Sequence, residues 1–179
     1  MAGQRLTDKT ALEEQTSSGD LFMVVDVGDT TGGSAGTSKK IDSKFVIQTD
    51  KFSLDNAAVK LLSDGDAPKT LVGALSGYMV TVFNVTLGCT HAGSNETSSN
   101  NLMYGFDSSS DSEYWAQIRD CMNNKSTNLT YVTSAAASSG GTYIGTSTLN
   151  RPFVMWTNAA FNGGWSCDVY VTYAYTKLL

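Results

Sequence analysis

The chain has 179 residues, of which 41% are hydrophobic and only 16% are charged, and its formal net charge is -5. The acidic balance gives no field that would attract a polyanion, so nucleic acid is excluded as an expected partner. Neutral polar residues replace the missing charge, with 21 Ser, 21 Thr, 11 Asn and 17 Gly. These residues favour turns and exposed strands, which excludes an ordinary helical bundle.

The N-terminal residues and the cysteines indicate the compartment. Residues 1–15 contain no apolar segment of the kind found in a secretory signal peptide. The longest apolar stretches, such as Leu21–Val25, are far shorter than the roughly 20 residues of a membrane helix. Cys89, Cys121 and Cys167 are odd in number and widely spaced, which argues against a disulfide framework. We expect a soluble protein made in a reducing cytoplasm, without a membrane partner and with buried free thiols.

The sequence pattern of residues 1–57 predicts an extended N-terminal arm. A short helical turn is expected over Thr7–Gln15, followed by a strand at residues 21–27. A flexible polar loop is expected over Gly28–Lys40, and a second strand over Lys44–Thr49. Two strands alone are marginal in water, so a hairpin formed by these strands requires another surface to pack on.

Strand patterns dominate residues 58–179. The longest predicted strand is Tyr78–Thr90, and alternate residues give it one shared face: Met79, Thr81, Phe83, Val85, Leu87 and Cys89. Shorter β-rich runs predict five more strands: 102–106, 129–133, 142–146, 152–157 and 167–176. A helical spacing predicts one short helix over Asp111–Met122, with these residues on its apolar stripe: Tyr114, Trp115, Ile118 and either Cys121 or Met122. The predicted fold class is therefore all-β, a two-sheet sandwich or jelly roll with one short helix, preceded by the arm.

Three patterns that carry chemistry in other proteins are incomplete in this chain. The Gly-rich segment 28–40 lacks the phosphate-binding spacing, because its first lysine comes three residues after Gly36. An acidic cluster lacks the spacing of a calcium loop, and its members are Asp107, Asp111 and Glu113. A Cys₃His zinc site lacks the usual close ligand pair, and its candidate ligands are Cys89, His91, Cys121 and Cys167.

No catalytic, cofactor-binding or metal-ligating residue is therefore assigned, and we expect no enzyme activity. A histidine-dependent triad would need His91 itself, and the chain has no G-x-S-x-G elbow. Four N-x-[ST] sequons are expected by chance in this composition and begin at Asn84, Asn95, Asn124 and Asn128. Aromatic side chains near loops leave one alternative open, in which Trp165, Trp156 or loop tyrosines stack on a sugar.

Four short elements occur in order within residues 6–41: Leu6-Thr7, Gly19-Asp20, Val25-Asp26-Val27 and Gly36-Thr37-Ser38-Lys39-Lys40-Ile41. Their arrangement resembles a segment near the start of many tailed-bacteriophage structural proteins. A second segment has an Asn-Ala-x-Phe-x-Gly-Gly pattern over residues 158–164, followed by Val-x-Val-x-Tyr over residues 169–173. This part is similar to small β-sandwich proteins of phage virions.

The resemblance implies a virion structural protein, which would be a head fibre, a head decoration protein or a tail-associated protein. Residues 1–57 would then attach the chain to the particle, and residues 58–179 would form the displayed β-sandwich. The implied partners are other virion proteins (capsid, portal or tail). The resemblance also implies a homotrimer, because proteins of this family commonly form trimers. The protein would be made in the bacterial host cytoplasm and located in the virion. The alternative is a carbohydrate- or receptor-binding module of a phage fibre, with a host-surface glycan as its partner.

Overall fold

The structure is a computed structural model, and it describes residues 21–34, 36–63, 68–106, 114–134 and 148–177. The chain divides into two compact units between Lys44 and Phe45. The predicted helical turn at Thr7–Gln15 and the predicted strand at residues 142–146 lie outside the described residues.

The first unit contains an antiparallel hairpin of β1 (Leu21–Asp26) and β2 (Thr37–Asp42). The predicted first strand is confirmed, but the prediction that Lys44–Thr49 pairs with it is wrong. β2 lies in the segment that was expected to be a flexible loop, and Ser43–Phe45 form a 3-10 turn. Most of β2 is polar and solvent-accessible, so no alternation of apolar and polar residues marks it as a strand.

In its described residues, the second unit is a sandwich of two four-stranded antiparallel sheets. The first sheet has the strand order β3 (Gln48–Leu54), β10 (Trp165–Lys177), β5 (Tyr78–His91) and β8 (Leu129–Ser134). The second has the order β4 (Lys69–Val72), β9 (Phe153–Thr157), β6 (Leu102–Gly105) and β7 (Ala116–Ile118). One short helix, α1 (Asn56–Lys60), follows β3. No helix in the described ranges is long and apolar enough to cross a membrane.

The strand order makes this sandwich a jelly roll. Counted from β3, the first strand pairs with the eighth, the second with the seventh, the third with the sixth and the fourth with the fifth. This nested pairing is that of one long hairpin wound into two sheets. The predicted all-β sandwich is confirmed, and the strand order selects the jelly roll.

The core lies between the two sheets and contains side chains from both. Val85 and Val169 of the first sheet belong to the same buried cluster as Tyr104 and Phe153 of the second. The Phe153 ring makes an edge contact with the Trp115 ring, with their centroids 5.6 Å apart. This shared apolar cluster holds the two sheets together as one unit, because burial of apolar area is the main favourable contribution to folding.

The boundary predicted at residue 57 is displaced in the structure. β3 was expected in the arm, yet it pairs with β10 from Gln48 opposite Tyr173 to Leu54 opposite Cys167. Leu54 is buried in the jelly-roll core. The first strand of the jelly roll therefore begins before residue 57, and the unit boundary follows Lys44.

The helix predicted over Asp111–Met122 is wrong in its described part. Residues Ala116–Ile118 form β7, which pairs with β6. Asp120 and Met122 have φ values of 47° and 63°, which a right-handed helix does not accommodate. Trp115 and Met122 are nevertheless buried. Their apolar spacing thus predicted burial correctly, although the helix that it also predicted does not form in the described part.

β5 contains a β-bulge that the sequence pattern did not predict. Its pairing with β10 shifts between Asn84 and Val82, which leaves Phe83 as the extra residue. Phe83 is 44% exposed, whereas the buried residues of the strand are Val80, Val82, Val85, Leu87 and Cys89. The single alternation predicted from Met79 to Cys89 therefore holds only from Val85 onward.

Candidate interaction surface

The hairpin β1–β2 is built from two of the segments that carry the phage resemblance. Val25 and Asp26 end its first strand, with Val27 directly after it, and Gly36 directly precedes its second strand, most of which is formed by residues 37–41. The pairing register sets Asp26 opposite Thr37 and Val25 opposite Ser38. Two motif elements that are separated in the sequence are therefore direct neighbours across the hairpin.

One lysine and two aspartates hold the turn of this hairpin. The Lys39 Nζ lies 2.8 Å from the Asp26 Oδ2 and 2.9 Å from the Asp29 Oδ2. A hydrogen bond from the Thr31 hydroxyl, together with Lys39, lowers the pKa of Asp29 to about 2. The Thr37 hydroxyl donates to the Asp29 carbonyl at 2.8 Å. These contacts lie in solvent, so they specify the shape of the turn more than they stabilise it.

Gly36 is required at the start of β2 for two reasons. Its φ of 105° lies in a region that other residues avoid. A Cβ at this position would also lie 2.7 Å from the Asp26 carbonyl oxygen, which is part of the backbone and cannot move aside. The glycine of the motif therefore allows the two strands to approach each other closely.

Large apolar side chains are exposed on this hairpin. The exposed fractions are 66% for Met23, 58% for Val25 and 78% for Val27. Phe22 and Val24 alternate with them along the strand and are also exposed. Contiguous exposed apolar side chains of this kind commonly mark an interaction site. Because alternate side chains of a strand lie on opposite faces, we treat Met23, Val25 and Val27, which share one face, as the candidate interaction surface and name them the hairpin surface.

The four side chains considered for a zinc site do not form one. Cys89, Cys121 and Cys167 are free thiols, and their burial agrees with the prediction. Burial raises the pKa of the Cys121 thiol, and the neighbouring thiol of Cys167 together with burial raises that of Cys89. The His91 ring lies 4.7 Å from the Trp165 ring, centroid to centroid. No group of three metal-ligating side chains occurs among the residues that the structure describes.

The two tryptophans considered for sugar stacking are buried. Trp156 and Trp165 are almost wholly shielded from solvent in the jelly roll. A stacking platform needs an exposed ring face, so the stacking role considered for these two tryptophans is wrong. The acidic cluster considered for calcium spans residues 107–113, which lie outside the described residues.

A buried glutamate organises one end of the jelly roll, and no motif or spacing in the sequence predicts this role. Glu96 is fully buried, and its Oε2 accepts from the Asn162 N–H at 2.9 Å and the Gly163 N–H at 2.8 Å. Its Oε1 accepts from the Ser98 N–H at 3.1 Å and from the Ser98 hydroxyl. One carboxyl group therefore joins the loop after β5 to the loop before β10.

Asparagine side chains extend this network. The Asn56 Nδ2 donates to the Gly163 and Trp165 carbonyls, and the Asn100 Nδ2 donates to two carbonyls of the loop before β10. The Asn162 Oδ1 and Nδ2 make paired hydrogen bonds with the Thr97 N–H and hydroxyl. Loops that cannot pair as strands thus satisfy their backbone groups through side-chain amides. Many of the asparagines that enrich this composition act in this way.

No protein-family model matches this chain, and no curated protein matches it. Among solved structures, it is similar to a chain of the cyanophage Pam1 capsid asymmetric unit, with 13% identity, a TM-score of 0.39 and 97% of each chain covered. It is also similar to a chain of the full Israeli acute paralysis virus particle heated to 63 degrees, with 12% identity, a TM-score of 0.27 and 94% of each chain covered. Both TM-scores are below 0.5, so the jelly-roll assignment rests on the strand order of this chain alone.

Proposed function

We propose that this chain is a structural component of a bacteriophage particle, as a head fibre, decoration protein or tail-associated protein. Its N-terminal unit attaches it to the particle, and its jelly roll is displayed. The observation that carries the proposal is the hairpin surface, which exposes large apolar side chains in the segment that resembles tailed-phage structural proteins.

The energetics of a two-stranded hairpin support attachment through this segment. A hairpin of two strands has little core of its own and is marginal in water. Covering an exposed Val or Met side chain gains roughly 1.5–3 kcal/mol when the burial is complete. Docking of Met23, Val25 and Val27 onto a particle protein would therefore stabilise both the hairpin and the complex. Lys40 is the register partner of Met23 and adds a positive charge to the same face.

The jelly roll suits a displayed, non-catalytic domain. Its core of aromatic and β-branched residues is complete within the second unit. Jelly rolls occur in viral capsid and lectin domains, and the fold by itself does not choose between them. The burial of Trp156 and Trp165 removes these two tryptophans as support for a glycan-binding role.

We also propose that the chain self-associates as a homotrimer. It would be made in the bacterial host and incorporated into the particle together with other virion proteins. Exposed apolar side chains on the first sheet offer a surface for copies to meet, because Val132 and Tyr170 both lie opposite Thr86 in the register. Side chains directly opposite in a sheet share one face. A trimer of the 19.1 kDa chain has a mass of about 57 kDa, which sedimentation equilibrium measures directly.

The attachment test uses substitutions that preserve side-chain shape. Met23→Gln with Val25→Thr removes apolar area from the hairpin surface while keeping similar volume and strand propensity. Leu61→Gln is the matched control, because Leu61 is nearly as exposed as Met23 (61% against 66%) but lies in the unit that forms the jelly roll. Each variant replaces the natural chain during phage growth, and its copy number in purified particles is measured by mass spectrometry.

We expect the double variant to fall at least tenfold in copy number, with the control unchanged. Circular dichroism of the purified chains checks that both variants retain the jelly roll. Particles that contain the double variant at the natural copy number would refute attachment through the hairpin surface. Purified particles that lack the natural chain altogether would refute the virion role.

A further inference from the structure

The loop before β10 contains the one Asn-Gly pair of the sequence, Asn162-Gly163. Asparagine is most prone to deamidation before glycine, because glycine has no Cβ to hinder attack of its nitrogen on the asparagine side chain. Asn162 is exposed, whereas Gly163 is buried. Water can therefore reach the side-chain amide of Asn162 without any opening of the core.

Four hydrogen bonds hold the groups that would react. The Asn162 and Gly163 N–H groups both donate to the Glu96 Oε2, at 2.9 Å and 2.8 Å. The Asn162 side chain is bound at both of its polar atoms: its Oδ1 accepts from the Thr97 N–H at 3.1 Å, and its Nδ2 donates to the Thr97 hydroxyl at 2.9 Å. The attacking nitrogen and the amide under attack are thus both held by residues 96–97.

This closed arrangement opposes the reaction. The Gly163 nitrogen has to approach the Asn162 Cγ in an aligned geometry, which requires rotation of the Asn162 side chain and of the peptide between the two residues. Rotation of the side chain breaks both bonds to Thr97. Two successive N–H groups on one oxygen form a compact anion-binding turn, so rotation of the peptide takes the Gly163 N–H away from the buried Glu96 carboxylate.

We propose that Asn162 is a deamidation site that Glu96 and Thr97 keep closed, and that it reacts when this loop opens locally. In the open loop the Gly163 nitrogen attacks the Asn162 Cγ, the Cγ–Nδ2 bond breaks, and the proton lost by the attacking nitrogen leaves with Nδ2 as ammonia. Water then opens the resulting succinimide at either carbonyl, which yields aspartate or isoaspartate. The net reaction consumes one water and releases one ammonia, without oxidation or reduction.

The modification prevents the loop from closing again. Isoaspartate adds a carbon to the main chain directly before Gly163, where space is already short. A Cβ on Gly163 would lie 2.7 Å from the Trp165 ring and 2.8 Å from the Glu96 backbone nitrogen. The aspartate product keeps the main-chain length but adds a negative charge to a residue whose N–H binds the Glu96 carboxylate, and like charges repel. The isoaspartate form should therefore lose the bonds to Glu96, and the aspartate form should weaken them.

The experiment incubates the full-length chain at mildly alkaline pH, both folded and unfolded in urea. Peptide mapping by mass spectrometry measures the loss of Asn162 and the share of isoaspartate. We expect the folded chain to react at least tenfold more slowly than the unfolded chain, because only the locally open fraction is reactive. Hydrogen exchange then compares modified with unmodified chains. The isoaspartate form should lose protection in residues 92–101, while β5 and β10 keep theirs.

Three variants assign the closure to this network. Glu96→Gln should raise the rate in the folded chain several-fold, because it weakens the bonds to both N–H groups. Thr97→Val removes the hydroxyl but keeps the backbone N–H, so it should raise the rate less. Thr97 is exposed, so this variant also carries the test if Glu96→Gln does not fold. Val85→Ala is the control, because it removes buried methyl groups from the core without touching the loop, and it should leave the rate unchanged.

Equal rates in the folded and unfolded chains would overturn the proposal. A natural rate in Glu96→Gln, or in Thr97→Val where that variant carries the test, would overturn the role given to residues 96–97. If Val85→Ala reacts as fast as Glu96→Gln, global unfolding exposes the site and local opening of the loop is refuted. An isoaspartate form with the natural exchange protection would refute the loss of closure.

Discussion

The buried Glu96 offers a sharp test of how the jelly-roll end is held together. Glu96→Gln keeps the shape of the side chain but replaces one acceptor oxygen by an NH₂ donor. If this group takes the Oε2 position, it opposes the N–H groups of Asn162 and Gly163. If it takes the Oε1 position, it opposes the Ser98 N–H, although the Ser98 hydroxyl can rotate to accept.

The arrangement with the NH₂ group at the Oε1 position destabilises the protein less. Its cost therefore sets the expected loss in the free energy of unfolding. One buried N–H without an acceptor costs about 1–3 kcal/mol. The remaining hydrogen bonds weaken as well, since bonds to a charged group contribute about 1.5–3 kcal/mol and neutral ones about 0.5–1.5 kcal/mol. We expect the free energy of unfolding to fall by about 3 kcal/mol. In a domain of this size, that corresponds to a melting temperature lower by about 6–12 °C.

Thermal unfolding followed by circular dichroism measures this loss, and hydrogen exchange locates it in residues 92–101 and 158–164. Asp168→Asn is the control, because it makes the same chemical change at a carboxylate that pairs with Lys51 in solvent. We expect little change from the control. A Glu96→Gln melting temperature within 2 °C of the natural chain, or unchanged exchange in both loops, would refute this account of the network.

Three further changes test other features. Gly163→Ala should lower the free energy of unfolding by about 1–3 kcal/mol in a urea titration, because a Cβ there would lie 2.7 Å from the Trp165 ring. Burial and the hydrogen bond to Asp50 raise the pKa of Tyr173, so its contribution to stability is complete below pH ~10 and is lost as the pH rises further. Tyr173→Phe should therefore lessen the loss of melting temperature between pH ~9 and ~11. Gly36→Ala should disrupt the hairpin and reduce particle incorporation without changing the melting of the jelly roll.

Strands with strong local patterns were predictable from the sequence. In β10, Val169, Val171 and Tyr173 alternate with smaller or polar residues, and these three side chains are buried in the core. β9 is also evident, because a run of apolar and aromatic residues favours a strand buried on both faces. Such elements carry their signal within a few neighbouring residues, which a single sequence displays directly.

The remaining features depend on contacts between distant residues. Glu96 lies in a Ser- and Asn-rich segment that resembles a flexible loop, and its partners Asn162 and Gly163 are 66 and 67 residues away. The short strand β7 forms because β6 lies beside it, although its own apolar spacing favours a helix. In both places the tertiary environment overrides the local preference.

The nested strand order also has a consequence for the time at which the protein can fold. The ladder between β3 and β10 joins Gln48 to Tyr173, which are 125 residues apart. At a synthesis rate of roughly 5–20 residues per second, β3 emerges from the ribosome about 6–25 s before its partner strand. During that interval the chain has an unpaired first strand that is open to wrong partners. Closure of this ladder is therefore the expected slow step, and folding should be slower than in helical proteins of equal length.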